Sequence, residues 1–283
     1  MSKKTFVCGT IDSYRQTVSK YSKKGETFQT VSSGMTRRII LPNGAKMRFF
    51  GTEAKGQIVE GAFLVQMVQR EIDEYIAKNG IPAHHQVHDV QMFNLPLIKR
   101  RLTSRPQPII GIDINACYWN TAHKLGYISD ELYERGLKTA KKKGLLISIG
   151  CLNKKPIIKT YRDGKLISTK FDEEFYARYS PFYWNIIAAT QDIMMRSFEL
   201  FENHWYMFLT DCLFVDPVVM KDAQKFLTEM GYGSKIHQIQ FKNYDGFKLH
   251  WHDFKEDRGK VMYVGNRDMK MIYNDWKEKK GSA

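Results

Sequence analysis

Two aspartates of this 283-residue chain sit where an apolar, strand-like run ends or turns: Asp113 in Ile109-Ile-Gly-Ile-Asp-Ile-Asn115 and Asp211 in Phe208-Leu-Thr-Asp-Cys-Leu-Phe214. A carboxylate in apolar surroundings is costly to leave alone, so it is paired, hydrogen-bonded or bound to a cation. If the two runs are neighbouring strands, the carboxylates converge on Mg2+, a hard cation that takes one or two carboxylates, keeps waters and binds substrate phosphates. Such a pair is the core of a two-metal phosphoryl-transfer site. The same residues also fit a pair of turn-capping aspartates. Other groupings carry less. His84-His85-Gln-Val-His88-Asp89 has ligand types at short spacing but no cysteine beside it, and reads as surface or loop histidines. His250-Trp-His252-Asp253 offers rings for stacking on bases, with a structural role the stronger reading. Gly51-Thr-Glu-Ala-Lys-Gly56 lacks the Lys-Ser/Thr ending of a phosphate-binding loop. Cys8, Cys117, Cys151 and Cys212 are scattered without a C-x-x-C pair, which argues against zinc or a redox dithiol and for a reducing cytosol.

The elements that must position these groups follow from period and turn chemistry. The first twenty-odd residues are polar, lack a clear period and read as weakly structured. Arg37-Arg-Ile-Ile-Leu41 and Lys46-Met-Arg-Phe-Phe50 flank Pro42-Asn43-Gly44, a hairpin signature. From Gln57 to Lys78, Ile58, Ala62, Val65, Val68, Ile72 and Ile76 recur at steps of three and four, giving an amphipathic helix stopped by Asn79-Gly80-Ile81-Pro82. Ser104-Arg-Pro-Gln-Pro108 marks a boundary. Beyond it come a strand at Ile109–Ile114, a helix from Asp130 to Lys143 with acidic start and basic end, and a strand at Leu145–Ile149. A hairpin follows around Asp163-Gly164. Pro181 opens a long helix to about Asn203. Trp205–Val215 reads as strand, turn, strand with Asp211 in the middle, Val218–Met230 as a helix, and the stretches near Ile236–Phe241 and Lys260–Val264 as closing strands.

Lys and Arg number 44 against 30 Asp and Glu, a net charge of +14, and the sequence pI is about 9.5. That balance favours a polyanionic partner, since each neutralised phosphate releases condensed counterions. No stretch approaches the roughly 20 apolar residues of a spanning helix, and no long apolar run follows the N-terminal lysines, so neither a membrane span nor a secretory leader is expected.

Around the two acids the chain resembles the palm of family B DNA polymerases. That family's first catalytic strand reads D-x-x-S-L-Y-P, and Asp113-Ile-Asn-Ala-Cys-Tyr118-Trp119 matches it in the aspartate and the tyrosine but not in Ser, Leu and Pro. The second motif, K-x-x-x-N-S-x-Y-G, is similar to Lys143-Gly-Leu-Leu-Ile-Ser148-Ile-Gly150, with Ile147 in place of the asparagine and the tyrosine lost. The third, Y-x-D-T-D-S, is similar to Met207-Phe-Leu-Thr210-Asp211-Cys, with Leu209 in place of the first aspartate. Lys260-Val-Met-Tyr263 resembles the K-x-Y element that touches primer-template duplex. The four stand in the family's order between Ile109 and Val264, a little over half of the chain, with a long helix between the second and third.

The resemblance implies an α+β fold: a palm-like antiparallel sheet backed by helices over 109–265, a small basic N-terminal α/β module over 1–108 and a short Lys-rich tail over 266–283. It implies that Asp113, Asp211 and the backbone carbonyl of Ile114 hold two Mg2+ ions, with Mn2+ able to substitute. Asp113 and Asp211 would be the catalytic acids, Tyr118 would lie under the sugar, and Lys142 and Lys143 would meet the triphosphate of a dNTP. Lys260 and Tyr263 would contact DNA. Without the resemblance, Tyr118 reads equally as a core tyrosine and the lysines as a solvated basic helix end. Only 24 residues separate Tyr118 from Lys143 and 20 follow Tyr263, too few for the long fingers or a thumb, and residues 1–108 are too acid-poor for a proofreading exonuclease. The expectation is therefore a minimal DNA polymerase or nucleotidyltransferase without proofreading, of viral or mobile-element type, working in the cytoplasm on DNA and dNTPs with an accessory replication protein. The alternative is a catalytically inactive, polymerase-derived DNA-binding module acting in replication or packaging. A template-independent or protein-priming transferase is a third reading.

Overall fold

In a computed structural model, residues 5–33, 36–50, 57–85, 91–104, 107–264, 273–274 and 276–278 are described. The Gly51–Gly56 run, His88, Asp89 and most of the tail from 266 onward lie outside them. The elements in chain order are β1 (Thr5–Thr10), α1 (Ile11–Lys23), β2 (Phe28–Ser33), β3 (Thr36–Ile40), β4 (Lys46–Phe50), α2 (Gln57–Asn79), β5 (Gln91–Phe93) and α3 (Leu95–Thr103). There follow β6 (Ile109–Ile114), α4 (Cys117–Lys124), α5 (Asp130–Thr139), α6 (Lys142–Gly150), β7 (Ile157–Arg162), β8 (Lys165–Phe171) and α7 (Glu173–Phe201). The chain closes with β9 (Trp205–Leu209), β10 (Cys212–Val215), α8 (Met220–Glu229), β11 (Ser234–Tyr244), β12 (Lys248–Asp253) and β13 (Arg258–Tyr263). The fold is α+β, with two sheets backed by helices, as the sequence implied.

The chain forms two compact units, each made of two separated stretches: unit 1 is Met1–His84 with Ala122–Asn185, and unit 2 is His85–Thr121 with Ile186–Ala283. The sequence boundary at 108 falls between α3 and β6, both in unit 2.

Unit 1 holds a six-stranded sheet in the order β1-β4-β3-β2-β7-β8, antiparallel except for the parallel β1–β4 pair. The expected hairpin at Asn43-Gly44 joins β3 and β4, and that at Asp163-Gly164 joins β7 and β8. α1 lies on one face of the sheet, where Tyr14, Val18 and Tyr21 pack on Phe28, Ile39 and Phe49. This corrects the reading of the first residues as weakly structured. The stripe of Tyr14, Val18 and Tyr21 at steps of four and three is a helical period hidden among polar residues, and the Thr10 side chain caps the Ser13 N–H.

Two further corrections concern unit 1. Leu145–Ile149 is not a strand but part of α6, which packs against α2, with Leu145, Ser148 and Ile149 buried; Leu146 on its outer side is apolar too and 44% exposed, so the run shows no period that separates strand from helix. α7 begins at Glu173, not at Pro181, because the Asp172 side chain accepts the Phe175 N–H at 3.0 Å and two acids fill the first turn. Pro181 then lies within the helix. Asp73 of α2 holds α7 by accepting from Arg178 at 2.7 Å and from the Tyr179 hydroxyl at 2.9 Å.

Unit 2 holds a seven-stranded antiparallel sheet, β13-β12-β11-β6-β10-β9-β5. The strand expected at Ile109–Ile114, which takes the middle place in the sheet, and the strand-turn-strand at 205–215 are both present. One sheet face, with Ile110, Ile112, Ile114, Leu213 and Val215, packs on Ile193, Met194 and Phe198 of α7 and on Ala223 and Leu227 of α8. The other face, with Ile109, Cys212, Phe214, Ile239 and Trp251, packs on Leu97 and Ile98 of α3. Strand β12 was not foreseen, because its His and Asp residues mask an alternation of buried Leu249, Trp251 and Asp253 with half-exposed neighbours.

Candidate active site

The register of unit 2 brings the two acids together. β6 and β10 are antiparallel neighbours with Asp113 opposite Cys212, and the Ile114 N–H donates to the Asp211 carbonyl at 3.1 Å. On the other side of β6, Asn115 N–H donates to the Gly233 carbonyl at 2.8 Å, so the end of β6 is clamped between the β9–β10 turn and the start of β11. Both aspartates are half-buried.

The backbone beside each acid is under strain. Thr210 has φ +61°, and the Asp211 N–H reaches back two residues to the Leu209 carbonyl at 2.8 Å, a tight γ-turn rarely formed around a β-branched residue. Ala116, three residues after Asp113, has φ +44°. Among the described residues the other non-glycine positions with positive φ are Asp163 and Asp257, a residue type that tolerates it. Ala and Thr do not, and such conformations cost on the order of 1–3 kcal/mol each. They persist only where surrounding structure enforces them.

The electrostatics place both acids within reach of buried thiols. Burial first, then the negative charges of Asp211 and Asp113, push the Cys117 thiol up to about 12, against an opposing hydrogen bond with Thr190. Burial and the same two aspartates, together with Asp253, raise the Cys212 thiol well above its usual range. Both acids therefore act on two thiols that pack against opposite faces of the sheet, Cys117 of α4 and Cys212 of β10.

Two groups at this site, His237 and Lys235, were not singled out by the sequence, and a third, Asp253, appeared there only within the His250–Asp253 run. The His237 ring lies over Gly111, where any Cβ would collide with it, and stands edge-on to Phe214 at 5.6 Å. Burial lowers its pKa, which Asp253 and Asp113 partly oppose. The signal was Gly111 itself, since a glycine inside an apolar strand marks close approach of another group. Lys235 stands opposite Asp113 on β11. Asp253 is 4% exposed, and although burial pushes its pKa up, the Lys260 ammonium at 2.7 Å and the N–H groups of Glu256 and Lys255 hold it lowered overall.

The remaining predicted site residues are spread. Tyr118, on the first turn of α4, is half-buried and packs against the core cluster of β6 and α7. Lys142 and Lys143 belong to unit 1 and are exposed. They do not end a helix as expected: α5 stops at Thr139 and these lysines open α6, where their charge adds to the positive end of the helix dipole. Lys260 is bound to Asp253 and to Glu256 at 2.9 Å, whereas Tyr263 is 72% exposed with Lys248 over its ring at 4.9 Å. Being three residues apart on β13, they face opposite sides of the sheet. His84 is exposed and lies by Trp184, and His250 and His252 stand beside Asp245 and Asp257. Among the described residues no group of three or more His, Cys, Asp or Glu is arranged to hold a metal ion. No described helix is long and apolar enough to cross a membrane.

Comparison with known proteins finds no match to any protein-family model, any curated protein or any solved structure.

Proposed function

We propose that the chain is a minimal DNA polymerase or nucleotidyltransferase that adds deoxynucleotides to a 3′-hydroxyl, with Asp113 and Asp211 as its acids and no proofreading activity. The observation that carries this reading is the register that sets Asp113 of β6 opposite Cys212, the residue after Asp211 of the β9–β10 turn, with strained backbone at Thr210 and three residues beyond Asp113. Their half-buried carboxylates supply the hard oxygen donors suited to Mg2+ or Mn2+, with the Ile114 carbonyl as a further oxygen. When bound, such ions lower the pKa of a hydroxyl nucleophile and neutralise charge on the reacting phosphate.

The chain's own groups do the rest. Tyr118 backs the sugar and restricts its 2′ position. Lys142 and Lys143 meet the triphosphate as point charges, an arrangement that helps α6 only when an anion is present, because cations at a helix N-terminus are otherwise unfavourable. Tyr263 contacts DNA through its exposed ring. Lys260, held by two carboxylates, acts on DNA less directly than the resemblance implied. DNA, dNTPs and an accessory replication protein are the proposed partners, in a reducing cytoplasm, of the host cell for a viral protein; the buried free thiols of Cys117, Cys151 and Cys212 support that setting.

The test is primer extension on a labelled primer-template with each dNTP, in Mg2+ and in Mn2+, comparing wild type with Asp113→Asn and Asp211→Asn. Extension by wild type that both substitutions abolish supports the reading. No incorporation, with DNA binding intact in all three proteins, supports the second reading, a DNA-binding module without catalysis. Leu209, standing where the resembled family carries an acid, favours that second reading.

A further inference from the structure

We propose that the outward face of α1 is a binding surface for the phosphate backbone of nucleic acid. This goes beyond the catalytic reading and does not depend on it, since α1 belongs to unit 1 and the acid pair to unit 2.

The charge of the chain is not evenly shared. Unit 1 carries 26 Lys and Arg against 14 Asp and Glu, a net +12, while unit 2 carries 18 against 16, a net +2. Within unit 1, α1 turns its apolar stripe of Tyr14, Val18 and Tyr21 onto the sheet. Its opposite side, Arg15, Gln16, Ser19, Lys20, Lys23 and Lys24, is exposed and lines a shallow groove. Arg15, Ser19 and Lys23 recur every four residues, and Lys20 and Lys24 form a second, shorter row, so the donors together span about 13 Å along the helix at 1.5 Å per residue. The one acid on α1, Asp12, lies beside Arg15 at 3.3 Å. Four cations on a single exposed face repel one another and are relieved by a polyanion.

The surface is set on a rigid base. The Gly164 N–H donates to the Glu26 carbonyl at 3.1 Å, and no Cβ fits at Gly164 because the Ser22 carbonyl occupies its place. The β7–β8 turn is thereby seated on the end of α1, with exposed Arg162 and Lys165 flanking it. Nucleic acid is favoured over an anionic membrane because the groove-lining side of α1 is wholly polar and charged, with nothing to insert between lipids, while Tyr14, Val18 and Tyr21 face the sheet.

The experiment is a salt titration of binding to a labelled DNA duplex, by fluorescence anisotropy, for wild type and for R15Q/K20Q/K23Q/K24Q, in which glutamine preserves helix propensity. We expect the plot of log affinity against log salt to become shallower by about 3.6, near 0.9 for each of the four phosphates no longer neutralised, with circular dichroism and Tm unchanged. Single substitutions K20Q and K23Q, each expected to reduce the slope by just under 1, keep the test valid should the quadruple variant fold poorly. An unchanged slope in a folded variant, absence of salt-dependent binding by wild type, or loss of binding only to anionic lipid vesicles overturns the proposal. Asp113→Asn and Asp211→Asn should bind with the wild-type slope, so failure of nucleotide incorporation leaves this surface standing and failure of the surface leaves the acid pair untouched.

Discussion

The two units handle charge in opposite ways. In unit 2, with a net +2, acids and bases are nearly balanced and placed one at a time: Asp253 clasped by Lys260 and two N–H groups, Lys235 across from Asp113, Asp113 and Asp211 at strand ends beside strained residues. In unit 1, with a net +12, cations crowd one sign together on α1 and at the start of α6, and two arginines even face each other across β3 and β4. Placed single charges suit chemistry, because a carboxylate's effect depends on its distance from one atom. A field of like charges suits affinity for a polyanion, which sums over many loose contacts. The contrast separates a candidate for making bonds from a candidate for holding the chain on which they are made.

The largest expected effect tests that separation directly. Asp113→Asn or Asp211→Asn should lower nucleotide incorporation on the order of 10²-fold or more, since metal-assisted charge stabilisation supplies several kcal/mol and each 1.36 kcal/mol is a factor of ten. Duplex affinity and its salt slope should hardly move. The quadruple α1 variant should do the reverse at saturating DNA, weakening binding while leaving the bound turnover rate near wild type. Parallel loss of both properties in either variant would break the distinction between the units.

How far this was legible in the sequence differs between the units for a physical reason. In unit 2 the strands β6, β9 and β10 are buried on both faces and bounded by turn residues, so Ile109–Ile114 and Trp205–Val215 were readable, and with them the position of both acids. What could not be read was cross-strand proximity: His237 meets Gly111 from 126 residues away, and only the glycine hinted at it. β12 was hidden because its buried face includes Asp253, a polar residue made tolerable by Lys260. In unit 1, α1 is amphipathic through tyrosines rather than aliphatic residues, and its stripe was hidden among Ser, Thr and Lys. α6 hides its period because its exposed Leu146 is as apolar as its buried Leu145 and Ile149. In Lys260-Val-Met-Tyr263 the three-residue spacing sets the two side chains on opposite faces of β13, and the motif itself does not show that Asp253 and Glu256 hold Lys260.

Core truncation should show that the units are separately stabilised. Trp205 is fully buried, edge-on to Phe198 at 5.2 Å, and its Nε1 donates to Ser197 Oγ at 3.1 Å. Phe28 is its counterpart in unit 1, stacked on Tyr161 at 4.5 Å. Each change to alanine should cost about 3–5 kcal/mol. Native-state hydrogen exchange should find Phe28→Ala opening α1 and β2–β4 while amides of β6, β9 and β10 stay protected, and Trp205→Ala doing the opposite. Equal loss of protection in both units would mean that the chain unfolds as one cooperative body.

Alkaline pH should weaken unit 2 first. Burial raises Cys117 from 9.0 to about 12 and lifts Cys212 well above 9.0, so from about pH 9 the unfolded chain releases protons that the folded chain keeps, and stability falls as pH rises. In unit 1 the counterpart is Tyr179, which burial and Asp73 raise from 10.0 to about 12, so its loss begins about one pH unit later. By pH 10 the Cys117 thiol should cost about 1.4 kcal/mol. Urea melts from pH 7.5 to 10.5, followed by tryptophan fluorescence, should show this slope for wild type and about half of it for Cys117→Ala. An identical slope in the variant would place the titrating group elsewhere.

The smallest effect concerns the crowded charge of unit 1. Arg38 and Arg48 stand directly opposite on β3 and β4, burial lowers the pKa of both, and the charge of Arg38 lowers that of Arg48 further. Arg38 has Asp172 and Tyr179 to oppose this, whereas Nε of Arg48 is buried with no hydrogen-bond partner among the described residues. Like charges directly across a strand pair and an unsatisfied N–H both destabilise, so Arg48→Met should raise the stability of unit 1 by a few tenths to about 1 kcal/mol, more at low salt than at high. Because Arg48 lies on the sheet face away from α1, with Arg38 and not with Met47 and Phe49, its loss should change the salt slope of DNA binding by less than removal of one α1 lysine. A slope change as large as that of K23Q would mean that the second face of the sheet also holds phosphates, and that unit 1 grips nucleic acid as a whole rather than along one helix.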